Sequence, residues 1–172
     1  VTELSVSELP EPDDRPGERQ ALEEYLDYFR VVLRRKATGL NDAQTNARPC
    51  PPSTLSLVGL VRHMTEVERY WFRAVLDNQL QRGPYSSVDQ PNEDIVPSSS
   101  ASIGDALAAF DAEVAAVREI AGRYELDTIT TPRKRGRSFN LRWIYVHMIE
   151  EYARHCGHAD LLREAIDGLT GD

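Results

Sequence analysis

Glu151 and His155 stand four residues apart in the segment LRWIYVHMIEEYARHCGHADLLREAIDG (141–168). If that segment is helical, both side chains leave the same face, as a two-ligand platform requires. At about 100° per residue, Leu141, Ile144, Met148, Tyr152, Ala159, Leu162 and Ile166 fall on one apolar stripe. His155 lies near its centre, with Glu151 one turn earlier and slightly to the side. A carboxylate turned toward an apolar core is costly unless something compensates it. A cation held jointly by carboxylate and imidazole would do so. A third donor, His63, lies among Gly59, Leu60, Val67, Tyr70 and Ala74 of an earlier amphipathic segment, on its core-facing side. The small Gly59 and Ala74 would leave space beside it. Each signal is common when it occurs singly, since a buried histidine is often just hydrogen-bonded and a Glu–His pair is often a surface ion pair. On facing surfaces of one core, His63, Glu151 and His155 form a candidate metal triad. Three such ligands leave a coordination position open, the arrangement of catalytic sites. The set suits Zn²⁺ and tolerates Ni²⁺, Mn²⁺ or Fe²⁺.

His147 and His158 lie toward the flank of the same stripe. They can orient the ligands or carry protons, or they can be hydrogen-bonded flank residues. Cys156 is about half a turn around the helix from His147 and is excluded as a fourth ligand, while Cys50 sits in a proline-rich stretch with no partner for nucleophilic chemistry. Arg154 and Arg163 are candidates for holding an anionic substrate, although surface arginines seldom act so specifically. There is no glycine-rich phosphate loop.

Four amphipathic helices would position these groups. Residues 1–17, with Pro10, Pro12, Pro16 and several acids, read as an extended lead-in to a single domain over 18–172. From Glu18, Leu22, Tyr25, Leu26, Phe29, Val32 and Leu33 recur at helical spacing, and Gly39 is a stop. The prolines of 49–52 break the chain. Ser53 or Thr54 can cap a second helix running to about Asp77, with Leu57, Leu60, Val67, Tyr70, Trp71 and Ala74 toward the core. A long crossover loop follows over residues 79–101. Ser102 and Asp105 resemble a capping box before a third helix with Leu107, Phe110, Val114, Val117 and Ile120 on its seam. A second connection, 124–137, contains a short extended piece at Leu126–Thr131, and the last helix starts near Ser138–Asn140 and ends at Asp167-Gly168. The predicted fold is all-α, a four-helix bundle with a long crossover.

A chain of 172 residues supports one well-filled core. Its net charge of −8 argues against nucleic-acid binding. The one basic cluster, Arg133-Lys134-Arg135-Gly136-Arg137, reads as a solvated loop before the last helix. Two cysteines are too few for a disulfide framework. No run is long enough for a membrane helix and no secretory signal is evident, so the expectation is a cytoplasmic protein with free thiols. A homodimer is plausible for such a bundle.

The helices LVGLVRHMTEVERYWFRAVL (57–76) and 141–168 together resemble the DinB/YfiT-like superfamily of metal-binding four-helix bundles. That family typically pairs one histidine on its second helix with H-x-x-x-H on its last. Here Glu151 stands where the first histidine of the pair would be. The related mycothiol-dependent maleylpyruvate isomerases are similar in using a His, Glu, His set, which carries over to His63, Glu151 and His155. The resemblance implies one divalent metal ion and mycothiol as co-substrate, in an S-transferase or isomerase acting on a small electrophile. A hydrolase using metal-bound water and a non-catalytic metal-binding stress protein are the competing readings.

Overall fold

Helix α1 spans Glu18–Ala37 and buries Leu26, Val32, Leu33 and Ala37 along one side. Tyr25, expected on that seam, is 50% exposed: one residue before Leu26, it sits about 100° around the helix, beyond the edge of the contact. Gly39 takes a positive φ of 79° just after the helix, where a side chain would be strained. The computed structural model describes residues 11–79, 82–85, 87, 89, 92–97, 99–132 and 136–170. Residues 1–10 of the predicted lead-in, Arg133, Lys134 and Arg135 of the basic cluster, and several positions of the crossover lie outside that set.

The proline-rich connection is more ordered than expected. Helix α2 (Asp42–Asn46) closes before Pro49, stabilised by a reciprocal capping box between Asn41 and Gln44. It ties down the start of the third long helix. Asp42 Oδ1 accepts from the Ile103 amide at 2.8 Å, and the Asn46 amide side chain exchanges two bonds with the Ala101 backbone.

Helix α3 spans Leu57–Glu68 and is capped by Ser56, whose hydroxyl accepts from the Gly59 amide, rather than by Ser53 or Thr54. It continues as a π-helical segment, Arg69–Leu76. The buried face runs through Leu57, Leu60, Val61, Met64, Glu68, Phe72 and Val75. Val67, Trp71 and Ala74 are only half-buried and Tyr70 is exposed, so the core face is rotated from the expected one. The cause is Glu68. A carboxylate reads as a surface residue, yet this one is 0% exposed at the centre of the bundle.

Glu68 is fully satisfied there. Its Oε1 accepts from Arg30 Nε at 2.7 Å and from the Tyr152 hydroxyl at 2.8 Å, and its Oε2 accepts from a second Arg30 nitrogen at 2.8 Å. Burial alone would lower the Arg30 pKa, but the Glu68 charge and hydrogen bonds outweigh it and raise it above the ordinary guanidinium value. Asp27 bridges Arg30 to Arg118. The network therefore joins α1, α3 and the two remaining helices.

Helix α4 (Ile103–Ala121) starts at Ser102, whose hydroxyl accepts from the Asp105 amide, and buries Phe110, Val114, Val117 and Ile120. In the following connection, the extended piece pairs as one isolated bridge, Ile129 with Asn140, instead of a strand. Helix α5 (Leu141–Asp167) begins at Asn140, which caps the Trp143 amide, and stops at Gly168 with φ 79°. Its buried stripe contains Leu141, Ile144, Met148, Tyr152, His155, Ala159 and Leu162, as expected from periodicity. Helix α1 packs along α5 and α3 along α4, with α3 also meeting α5 and α1. The fold is an all-helical bundle. Among the described residues, no helix is long and apolar enough to cross a membrane.

Candidate metal centre

His63 on α3 and Glu151 and His155 on α5 converge at the edge of the core. Each offers one ligand atom, and these atoms all lie within 4.8 Å of one another. The rings of His63 and His155 meet edge-on at 5.0 Å, and His155 Nε2 is 3.6 Å from Glu151 Oε2. His155 is buried, while His63 and Glu151 keep partial access to solvent, so the site opens outward from the core. Burial, then the neighbouring His63 and His158, push the His155 pKa down to about 4. Its imidazole is neutral at pH 7, the form that ligates. Two imidazoles and one carboxylate are a donor set suited to a divalent first-row ion.

A residue from the crossover loop completes the arrangement. Asp94 Oδ2 lies 2.8 Å from His63 Nδ1, which fixes the ring and leaves Nε2 to serve as a ligand atom. Burial would raise the Asp94 pKa, but the bond to His63 and its charge hold it below the ordinary carboxylate value. The loop can come this close because residue 59 is glycine. A Cβ there would sit 2.3 Å from the Ile95 carbonyl oxygen. The space expected beside His63 is thus filled by loop backbone. Other groups on the same face of α3 hold the loop as well: Glu66 Oε1 accepts from the Tyr85 amide at 2.7 Å, and the Arg62 guanidinium lies over the Tyr85 ring at 4.4 Å. Nothing in the sequence marks Asp94 among the loop's acids, because its partner is 31 residues away.

The flanking histidines differ in their contacts. His158 Nδ1 is 3.3 Å from His155 Nδ1. His147 Nε2 is 3.8 Å from Glu151 Oε1, and with Glu150 these two form a second, more exposed cluster of potential ligands. His147 also stacks on Trp143 and meets Trp71 edge-on. Cys156 is buried and faces the Phe29 carbonyl, away from the triad, and both cysteines are free. Arg154 is exposed and pairs with Glu150 and Glu151. Arg163 is not a surface residue at all: it is buried, pairs with Asp167, and donates to the Lys36 and Thr38 carbonyls at the end of α1. Those acceptors occupy its guanidinium, so it caps α1 instead of holding an anion.

A cavity of about 490 Å³ adjoins the triad, reaching from His63 and Glu151 past Trp71 and Trp143 to Phe139 and Arg137. Residues 21–168 match the mycothiol-S-transferase family, of the DinB/YfiT-like kind. The chain belongs to that family. No curated protein matches the sequence. Among solved structures, the chain is similar to a conserved protein of locus from Enterococcus faecalis. The two are 15% identical with a TM-score of 0.68, over 90% of this chain and 100% of that one, a likeness of fold.

Proposed function

We propose that this protein is a metal-dependent S-transferase, in which His63, Glu151 and His155 hold one divalent ion and a low-molecular-weight thiol of the mycothiol type attacks a small electrophile. The observation that carries this reading is the convergence of the three donors beside an open cavity in a chain of the mycothiol-S-transferase family. A divalent ion held by these residues would lower the pKa of a coordinated thiol toward neutrality. The chain's own residues do the rest. Asp94 keeps His63 in one ring orientation. His158 contacts the far nitrogen of His155, restricting that ring likewise. Glu151 supplies the single negative charge of the set, which leaves a bound divalent ion with net positive charge to favour an anionic sulfur. Trp71 and Trp143 shield one side of the cavity from water. Cys156 faces away, which supports an external thiol as the nucleophile.

Transfer requires that the thiol lose its proton to solvent, that a carbon–sulfur bond form, and that the electrophile's leaving group depart with the bonding pair. The test combines metal content with thiol consumption. Wild type should retain about one ion per chain on elemental analysis, and His63→Ala, Glu151→Ala and His155→Ala should each lose it, while His147→Ala keeps it. The metal-loaded protein should consume mycothiol in the presence of an activated aryl halide, and chelator should stop this. Equal metal in all variants refutes the triad. Loss in His147→Ala alone moves the site to the second cluster. Ester cleavage by the metal-loaded protein without any thiol would make it a hydrolase.

A further inference from the structure

Both tryptophans of the chain stand in one wall of the cavity beside Glu151. Phe139, Trp143 and His147 follow at four-residue steps, so their rings line up along the start of α5. Phe139 and Trp143 are 4.4 Å apart between centroids, and Trp143 and His147 are 4.9 Å apart and nearly parallel at 20°. Trp71, from the π-helical segment, meets Phe139 and His147 edge-on at 5.2 and 4.7 Å and lies tilted against Trp143 at 5.2 Å. The result is a continuous aromatic ladder. Its lower end is His147, which reaches Glu151. Its upper end is covered by the Arg137 guanidinium, 5.1 Å over the Phe139 ring. Arg137 is exposed, and among the described residues no carboxylate pairs with it.

Packing alone does not account for this wall, since Trp143 keeps 38% of its surface in solvent while lining a cavity. A flat π system gains more from stacking against such rings than a saturated chain does. Charge then sets the orientation. A carboxylate is favoured at the Arg137 end and disfavoured beside Glu151, and a cationic ligand is disfavoured at Arg137.

We propose that the ladder of Phe139, Trp143, His147 and Trp71, with Arg137 at its rim, is the electrophile subsite. Its ligand is a flat, conjugated or aromatic molecule carrying an anionic group opposite its reactive carbon. The word electrophile rests on the transferase reading above; the binding of a flat anion does not. With 4-chloro-3-nitrobenzoate as the electrophile, the thiolate sulfur bonds to the ring carbon that bears chlorine. The carbon–chlorine bond breaks, chloride leaves with the electron pair, and the thiol proton goes to solvent.

Binding is measured with 3-nitrobenzoate, an unreactive analogue, against its neutral isostere 3-nitrobenzamide, by quenching of tryptophan fluorescence. No thiol is added. Because both tryptophans sit in the ladder, saturable quenching reports occupancy directly. The acid should bind about five- to tenfold more tightly than the amide, a preference that weakens with salt. Arg137→Gln should remove that preference, bringing the acid down to the affinity of the amide. Trp143→Leu, checked for folding by circular dichroism, should weaken both ligands. Equal binding of acid and amide to the wild type overturns the anionic assignment, and absence of saturable quenching overturns the subsite. A preference for 3-nitrobenzyltrimethylammonium would make the ladder a cation cage and overturn it too. Carboxylate-selective binding without thiol consumption from 4-chloro-3-nitrobenzoate upholds the aromatic anion site while ending the transferase reading. Chelator-sensitive thiol consumption above the uncatalysed rate that proceeds equally well with iodoacetamide, which is neither aromatic nor charged, upholds the transferase and refutes the subsite.

Discussion

Replacing Glu68 with leucine should destabilise the bundle more than any substitution at the proposed metal ligands. The side chain is wholly buried and accepts three hydrogen bonds, two from Arg30 and one from Tyr152. Leucine leaves the Arg30 guanidinium buried with only Asp27 beside it, and leaves the Tyr152 hydroxyl without its acceptor. Breaking a buried pair at one partner costs about 3–5 kcal/mol, and the hydroxyl adds roughly 1–3 kcal/mol. Against a typical total of about 5–15 kcal/mol, that is a large fraction of the stability. Glu68→Gln should cost less, about 2–3 kcal/mol, since an amide oxygen still accepts but no longer balances the charge. The double variant Arg30→Met/Glu68→Leu should recover most of the loss, because it removes both charges from the low-dielectric interior together. The assay is urea unfolding followed by circular dichroism, with chelator present throughout so that metal linkage does not enter. With a slope of roughly 2 kcal/mol per molar urea, Glu68→Leu should lower the midpoint by about 2–4 M. A Glu68→Leu protein within about 1 kcal/mol of wild type would refute the idea that the ion pair anchors the core. So would a double variant as unstable as the sum of its parts.

Gly59→Ala should leave the helical signal intact but weaken metal binding about tenfold in equilibrium dialysis, because the new Cβ displaces Ile95 and with it Asp94. Asp94→Asn should weaken binding by about 10–100-fold in the same assay, and unaltered affinity would remove the loop from the site. Tyr145 is buried against Glu23, and burial followed by the Glu23 charge raises its phenol pKa above the ordinary value. The unfolded tyrosine ionises near pH 10 while the folded one stays neutral, so its stabilising effect is intact below about pH 10 and falls by about 1.4 kcal/mol per unit above it. Tyr145→Phe should flatten that alkaline loss in pH-dependent urea titrations. Burial and then the Asp160 charge push the Cys156 thiol up to about 12, so a chromogenic disulfide should label Cys50 first and Cys156 only on unfolding.

The sequence by itself determined the four long helices and marked three candidate ligands, through local rules. Periodicity in α1, α4 and α5, the Asn140 cap and the Gly39 and Gly168 stops depend on residues a few positions apart, so they are legible along the chain. His63, Glu151 and His155 were found the same way, each as a polar residue on an apolar face, and they converge. What the tertiary structure decided involves partners far apart in the chain. The buried face of α3 was misjudged because Glu68 looks like a surface residue until Arg30, 38 residues away, is brought against it. Asp94 gains its role only when Gly59 lets the Ile95 backbone approach α3. Arg163 proves structural only when the end of α1 presents its carbonyls. The aromatic ladder needs Trp71 from one helix against Phe139, Trp143 and His147 from another. A side chain's cost of burial is a property of its residue type, but its compensation belongs to whatever the fold places beside it.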